Sequence, residues 1–228
     1  MKYKPQIWLS ALLVIMAGAL FAPERVAAQQ AAANTLDQLT APIALYPDAI
    51  VIQVLTASKN FDKVKSFAGW LEKNSNLKGT ELQDAAQKAG FETALVALAP
   101  FPQVVKMMVE KPDWTKALGQ AVTTDKKGVS DSIQRLRAQA QAAGNLKTTP
   151  QQVVTVTNVI VEKTVEQQVV VVTNTIIQIQ PANPQVIYVP TYNPTVVYVQ
   201  SPPSYSATAG AAVVGFTVGV IVANNNDY

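Results

Sequence analysis

Arg135-Leu136-Arg137-Ala138-Gln139-Ala140-Gln141-Ala142-Ala143-Gly144-Asn145-Leu146-Lys147-Thr148-Thr149-Pro150-Gln151-Gln152-Val153-Val154-Thr155-Val156-Thr157-Asn158 changes character halfway. Before Gly144, apolar residues recur three or four apart: Val129, Ile133, Leu136, Ala140 and Ala143. That period is helical. Gly144 is a helix stop and Pro150 a breaker. After Pro150 the chain is rich in Val and Thr, which favour strands. A helical half therefore ends, and a β-prone half begins, between Gly144 and Pro150.

Working outward, residues 35–145 are rich in Ala, Leu and Lys and read as short helices, whereas residues 150–200 read as strands. The fold class expected is α+β. A multi-helix N-terminal domain over 35–147 precedes a β-rich, Pro-punctuated segment over 150–200 and a small-residue C-terminal tail over 207–223. In the helical half, Pro47-Asp48 opens a helix whose residues Ala49 to Leu55 are apolar except Gln53, so burial nearly all round is expected. Further helices are expected from about Asp62 to Leu71, Thr80 to Lys88, Glu92 to Leu98, Pro102 to Glu110 and after Pro112. Thr80, Asp113 and Ser130 are the expected N-caps. Tyr46-Pro47 and Phe101-Pro102 each place an aromatic residue and a proline before a helix, as packing staples. Lys126, Lys127, Arg135, Arg137 and Lys147 read as a solvated basic face.

The β-prone half carries two short repeats. Val153 to Asn158 matches Val169 to Asn174 at an offset of 16, and Asn183 to Val189 matches Asn193 to Val199 at an offset of 10. Asn-Pro starts a turn and the Val/Tyr runs suit strands, so Tyr188 and Tyr198 are expected at equivalent places on consecutive strands. From Gln167 to Asn226 no residue is charged. Such a stretch must be paired or covered to avoid aggregation. In the tail, Ala207, Ala211, Gly215, Gly219 and Ala223 stand four apart; on a helix they form one stripe suited to close helix contact, self-association or a membrane tether.

Composition removes many functions. The 228 residues include no Cys and no His. Disulfides, thiol chemistry, histidine-based triads and the commonest zinc ligands are excluded. Lys2 and Lys4 precede an apolar run from Ile7 to Leu20, and Val26-Ala27-Ala28 offers small residues to signal peptidase. Residues 1–28 read as a signal peptide, so an exported protein is expected, periplasmic or associated with the outer membrane. Cleavage would remove Lys2, Lys4, Arg25 and Glu24, taking the formal charge from +3 to +1. A nucleic-acid partner is then not expected.

The ordered motifs resemble one family. They are Leu39 to Ala49, Trp70-Leu71 with Asn76 to Gly79, Ala99 to Pro102, Asp113 to Gly119, Arg135 to Lys147 and Ile179 to Pro190. This set is similar to the bacterial family called domain of unknown function 3300, over about Leu36 to Val199. The resemblance implies an exported envelope protein without an assigned activity, and it supplies no catalytic residues.

The candidate functional residues are Tyr46, Asp48, Trp70, Asp113 and Trp114. Asp48 is either an acid, base or metal ligand beside Tyr46, or a helix-start residue with Tyr46 as a packing wedge. As a helix-start residue, Asp48→Asn would cost about 0.3–1 kcal/mol. Ser75-x-x-Lys78 copies the spacing of the penicillin-interacting serine enzymes, but it falls in an Asn-rich loop rather than at a helix start. No metal-ligand spacing or cofactor motif stands out. The function expected is a non-catalytic interaction or structural module of the envelope. Its partner would be an envelope protein, a surface component or a second copy, with membrane contact through the tail as a further option. The alternatives are a carboxylate-using periplasmic enzyme with its site near Asp48, and a membrane-tethered module held by residues 207–223.

Overall fold

The computed structural model describes residues 35–165, 168–199 and 215–220. Leu36–Tyr228 forms one compact unit, and every contact given below lies within it. The expected signal peptide lies outside the described residues.

Among the described residues, eight helices come first: α1 (described over residues 35–40), α2 (Asp48–Ala57), α3 (Phe61–Lys73), α4 (Gly79–Lys88), α5 (Thr93–Leu98), α6 (Pro102–Glu110), α7 (Pro112–Thr124) and α8 (Lys126–Ala142). Four strands follow: β1 (Gln152–Val165), β2 (Gln168–Pro181), β3 (Val186–Thr191) and β4 (Gly215–Val220). The α+β class follows directly from this order.

The helix starts differ from expectation in instructive ways. Asp125, not Ser130, caps α8: its carboxylate accepts the Gly128 N–H at 2.8 Å, which places Ser130 inside the helix. Asn60 caps α3 in the same way through the Lys63 N–H. Thr80 and Asp113 lie inside the first turns of α4 and α7, after Lys78 and Lys111 at the cap positions. Proline at the start of α6 and α7 needs no side-chain cap, because its missing N–H is one the helix start leaves unused. Gly90 and Gly144 close α4 and α8 with φ of 84° and 76°.

The core sits among α2, α3, α5, α6, α7 and α8. Val54, Val64, Phe67, Leu98, Phe101, Met108 and Leu118 are fully buried there. α2 packs against α5 and α7, and α3 against α6. α2 is not buried all round, since Ile52 is 59% exposed and the buried residues are Ile50, Val51, Val54 and Ala57. α7 crosses the end of α2 at Gly119, where an added Cβ would meet the Ser58 carbonyl oxygen at 2.1 Å.

β1 and β2 form an antiparallel hairpin in one unbroken register, from Gln152↔Pro181 to Val165↔Gln168. The offset-16 repeat thus becomes the two strands of a single hairpin. Ile177 and Ile179 on one face of its root are buried with Leu45, Ala140, Leu146 and Val197. Val189 and Ile187 of β3 join the main core, and β3 pairs antiparallel with β4.

The offset-10 repeat does not give two strands. Asn183 and Asn193 make the same turn, with side-chain oxygens accepting the N–H groups of Gln185 and Thr195 at 2.9 and 3.0 Å. After the first turn the chain extends as β3. After the second, Val197 N–H reaches back to the Asn193 carbonyl at 3.1 Å and the chain stays in turns. Tyr188 and Tyr198 are therefore not equivalent. Val197 is drawn into the core at the root of the hairpin, and burial there outweighs strand propensity.

Candidate functional site

α8 presents Arg137 to the loop between α1 and α2. Its position is four residues after Ile133 and three before Ala140, on the buried stripe of the helix. Arg137 is 2% exposed. Its Nε donates to the Ala44 carbonyl at 2.8 Å and its Nη2 to the Tyr46 carbonyl at 3.1 Å. Its Nη1 donates both to Asp48 Oδ1 at 2.6 Å and to the Ile177 carbonyl at 2.8 Å. One guanidinium thus ties α8, the loop before α2, the start of α2 and β2. The planar fork suits this role because its donors point in fixed directions. This corrects the reading of Arg137 as part of a solvated face. Arg135 also departs from it, since its Nη2 pairs with Asp37 at 2.7 Å. Ser132 donates to the same carboxylate at 2.6 Å.

Three tyrosines gather beside this junction. Tyr46 meets Tyr192 edge-on at 6.2 Å between ring centres, and Tyr192 meets Tyr198 at 6.3 Å. Tyr192 and Tyr198 both donate to the Ala41 carbonyl, at 2.8 and 2.6 Å. Tyr192 also accepts the Leu45 N–H at 3.2 Å. Burial pushes the Tyr46 phenol up to about 12. Burial also raises Tyr192 well above the ordinary range, assisted by the neighbouring Tyr198. Tyr198 is raised by burial too, partly opposed by its hydrogen bond with Tyr192 and by the Arg137 charge. Neutral phenols are thus held as hydrogen-bond donors, Tyr192 and Tyr198 to the backbone and Tyr46 to the Met107 sulfur.

Of the sequence candidates, the fold brings Tyr46 and Asp48 together and leaves the rest apart. Trp70 stacks on Phe67 at 6.0 Å and meets Phe91 edge-on at 5.5 Å. Trp114 donates its indole N–H to the Leu39 carbonyl at 2.8 Å, tying α7 to α1. Asp113 is exposed in the first turn of α7. Gly215 and Gly219 lie in β4, opposite Thr191 and Ile187, so the helical stripe does not hold over that stretch. Ala207, Ala211 and Ala223 lie outside the described residues. Sequence reading missed Arg137, Tyr192 and Tyr198 as a unit. The one available signal was the place of Arg137 on the apolar stripe of α8.

A groove of about 820 Å³ runs between α3, α4 and α6, lined by apolar residues such as Leu71, Leu82, Val105 and Val109. Ser75 and Lys78 border it, but Ser75 is in a loop and Lys78 precedes α4, so they do not form a nucleophile and activator one helical turn apart. Among the described residues no group of three or more acidic side chains could hold a metal ion. No described helix is long and apolar enough to cross a membrane.

The other distinctive surface is the hairpin. Beyond the root, every residue from Thr155 to Ile160 and from Thr173 to Ile176 is exposed, on both faces. Ile160 is 69% exposed and Val156 45%. The root edges are capped by the body. Gln134 accepts the Ile177 N–H at 2.8 Å and donates to its carbonyl at 3.3 Å. Thr148 accepts the Val154 N–H at 3.0 Å on the opposite edge. The chain thus has an engaged polar junction and an exposed, uncharged β arm of Thr, Asn, Val and Ile.

Comparison with known proteins gives a family but no activity. The profile of a protein family of unknown function, DUF3300, matches residues 32–224. The chain is 39% identical over 179 residues to the uncharacterised protein YacH of Escherichia coli strain K12. That match covers 72% of this chain and 29% of YacH, so the chain spans under a third of its relative's length. No solved structure matches. The chain belongs to the DUF3300 family.

Proposed function

With membership of the DUF3300 family as premise, we propose that this chain is an exported, non-catalytic binding module of the cell envelope whose contact surface is the β1–β2 arm. The observation that carries this reading is the exposure of Thr155 to Ile160 and Thr173 to Ile176 on both faces of one hairpin. A two-stranded ribbon is marginal in water by itself, and exposed Val and Ile add to the cost. A partner that covers the arm removes both penalties. Export is supported by the basic start, the apolar run and Val26-Ala27-Ala28. The mature protein is expected to begin at Gln29, which N-terminal sequencing of the envelope fraction would establish.

The enzyme reading near Asp48 has less support. Its carboxylate is held by a buried arginine that is itself bonded to three carbonyls, leaving little freedom for proton transfer. The test is site-specific photocrosslinking in intact cells with the probe at Ile160 or, as a control, at exposed Lys88. Adducts from Ile160 alone support the arm as the contact surface. Equal labelling from both positions, or none, refutes it.

A further inference from the structure

We infer that the outer edge of β2 pairs antiparallel with β2 of a second copy of this chain, giving a four-stranded sheet across a twofold axis. The inference rests on the arm being the contact surface and names its partner.

The hydrogen-bond pattern identifies the free groups. Ile177 offers both its N–H and its carbonyl to Gln134, outside the hairpin. The unbroken register makes alternate residues equivalent, so Thr175 and Thr173 also direct their backbone groups outward from β2. Val156, Asn158 and Ile160 do so from β1. Gln134 and Arg137 cap Ile177, and Thr148 caps Val154. No such cap meets Thr173 or Thr175 among the described residues. The body therefore protects each edge only as far as it reaches. Past that point β2 lacks three of the usual edge defences: its register shows no bulge, and from Gln168 to Gln180 there is no proline and no charge.

Two features favour a second copy through β2. β2 carries no charged residue, so it can lie against itself without opposing like charges, whereas β1 carries Glu162 and Lys163. A twofold pairing uses the same patch on both copies and closes, leaving β1 strands at the new edges.

Full-length mature protein should be tested by sedimentation across a wide concentration range. Thr173→Pro removes an outward N–H without touching the β1–β2 bonds, and Ile160→Pro does the same on β1. Wild type is expected to dimerise. Thr173→Pro should weaken dimerisation at least tenfold, and Ile160→Pro should leave it within about twofold. Thr173→Lys, which keeps the backbone donor and adds charge across the axis, should also weaken it if proline disturbs folding. Because the chain lacks cysteine, single cysteines placed along β2 should crosslink most strongly at one position and fall off on either side. A wild type that stays monomeric, or a dimer lost through Ile160→Pro alone, overturns the β2 pairing. If wild type is monomeric while Ile160 still captures an envelope component in cells, the pairing fails and the contact-surface reading stands.

Discussion

At the residue scale, Arg137 decides how much of the junction survives. Arg137→Met keeps the bulk but leaves the carbonyls of Ala44 and Tyr46 unpaired, leaves the Ile177 carbonyl only its 3.3 Å bond from Gln134, and strips Asp48 of its counter-charge. A loss of about 3–5 kcal/mol in denaturant unfolding is expected. Asp48→Asn is expected to cost about 1–3 kcal/mol, more than a helix-end charge alone, because it leaves a buried guanidinium uncompensated. The sequence hinted at this arginine through its place between Ile133 and Ala140. It did not show the four acceptors, which come from two separate stretches of chain, Ala44 to Asp48 and Ile177. The buried phenols add a pH signature. An unfolded tyrosine ionises near pH 10, whereas folded Tyr46 holds its proton up to about 12. Above pH 10 the native state binds more protons, so the stability is fully present below pH 10 and is lost as pH rises through that window. Tyr46→Phe should flatten that fall by about 2–3 kcal/mol in urea melts followed from pH 9 to 12.

At the element scale, close approach and edge capping are the sensitive features. Gly119→Ala would drive a methyl group into the Ser58 backbone where α7 crosses α2. It should cost about 1–3 kcal/mol and lower the melting temperature. Gln134→Ala removes the side-chain amide that acts as a short neighbouring strand for Ile177. Faster hydrogen exchange of the Ile177 amide is expected, with the α7 amides unchanged. Most helices and their glycine and proline stops were readable from sequence, because these signals are local. The caps of α4, α7 and α8 were less so. Several polar residues near a start can compete, and only the backbone geometry selects Asp125 over Ser130. The second Asn-Pro repeat misled for a different reason, since both copies favour strand and only one has a strand's place in the core.

At the scale of the whole molecule, the C-terminal tyrosines hold the β half against the helical half. Tyr192 and Tyr198 both donate to the Ala41 carbonyl, so loss of one hydroxyl leaves the acceptor served. Tyr192→Phe and Tyr198→Phe should each cost about 0.5–1.5 kcal/mol, and the double variant should exceed their sum by about 0.5–1 kcal/mol in a double-mutant cycle. Sequence alone determined the α+β order, the change at Gly144 to Pro150, the absence of cysteine and histidine chemistry and the uncharged C-terminal stretch. Those properties depend on composition and on periodicities of a few residues. Tertiary structure decided that Arg137 is a buried tie rather than a surface charge, that Tyr198 leaves the strand pattern of Tyr188, and that the hairpin is capped at its root but exposed over Thr155 to Ile160 and Thr173 to Ile176. Each depends on what lies beside a residue in space. Neighbours from distant parts of the chain supply burial and hydrogen-bond partners that no local pattern encodes.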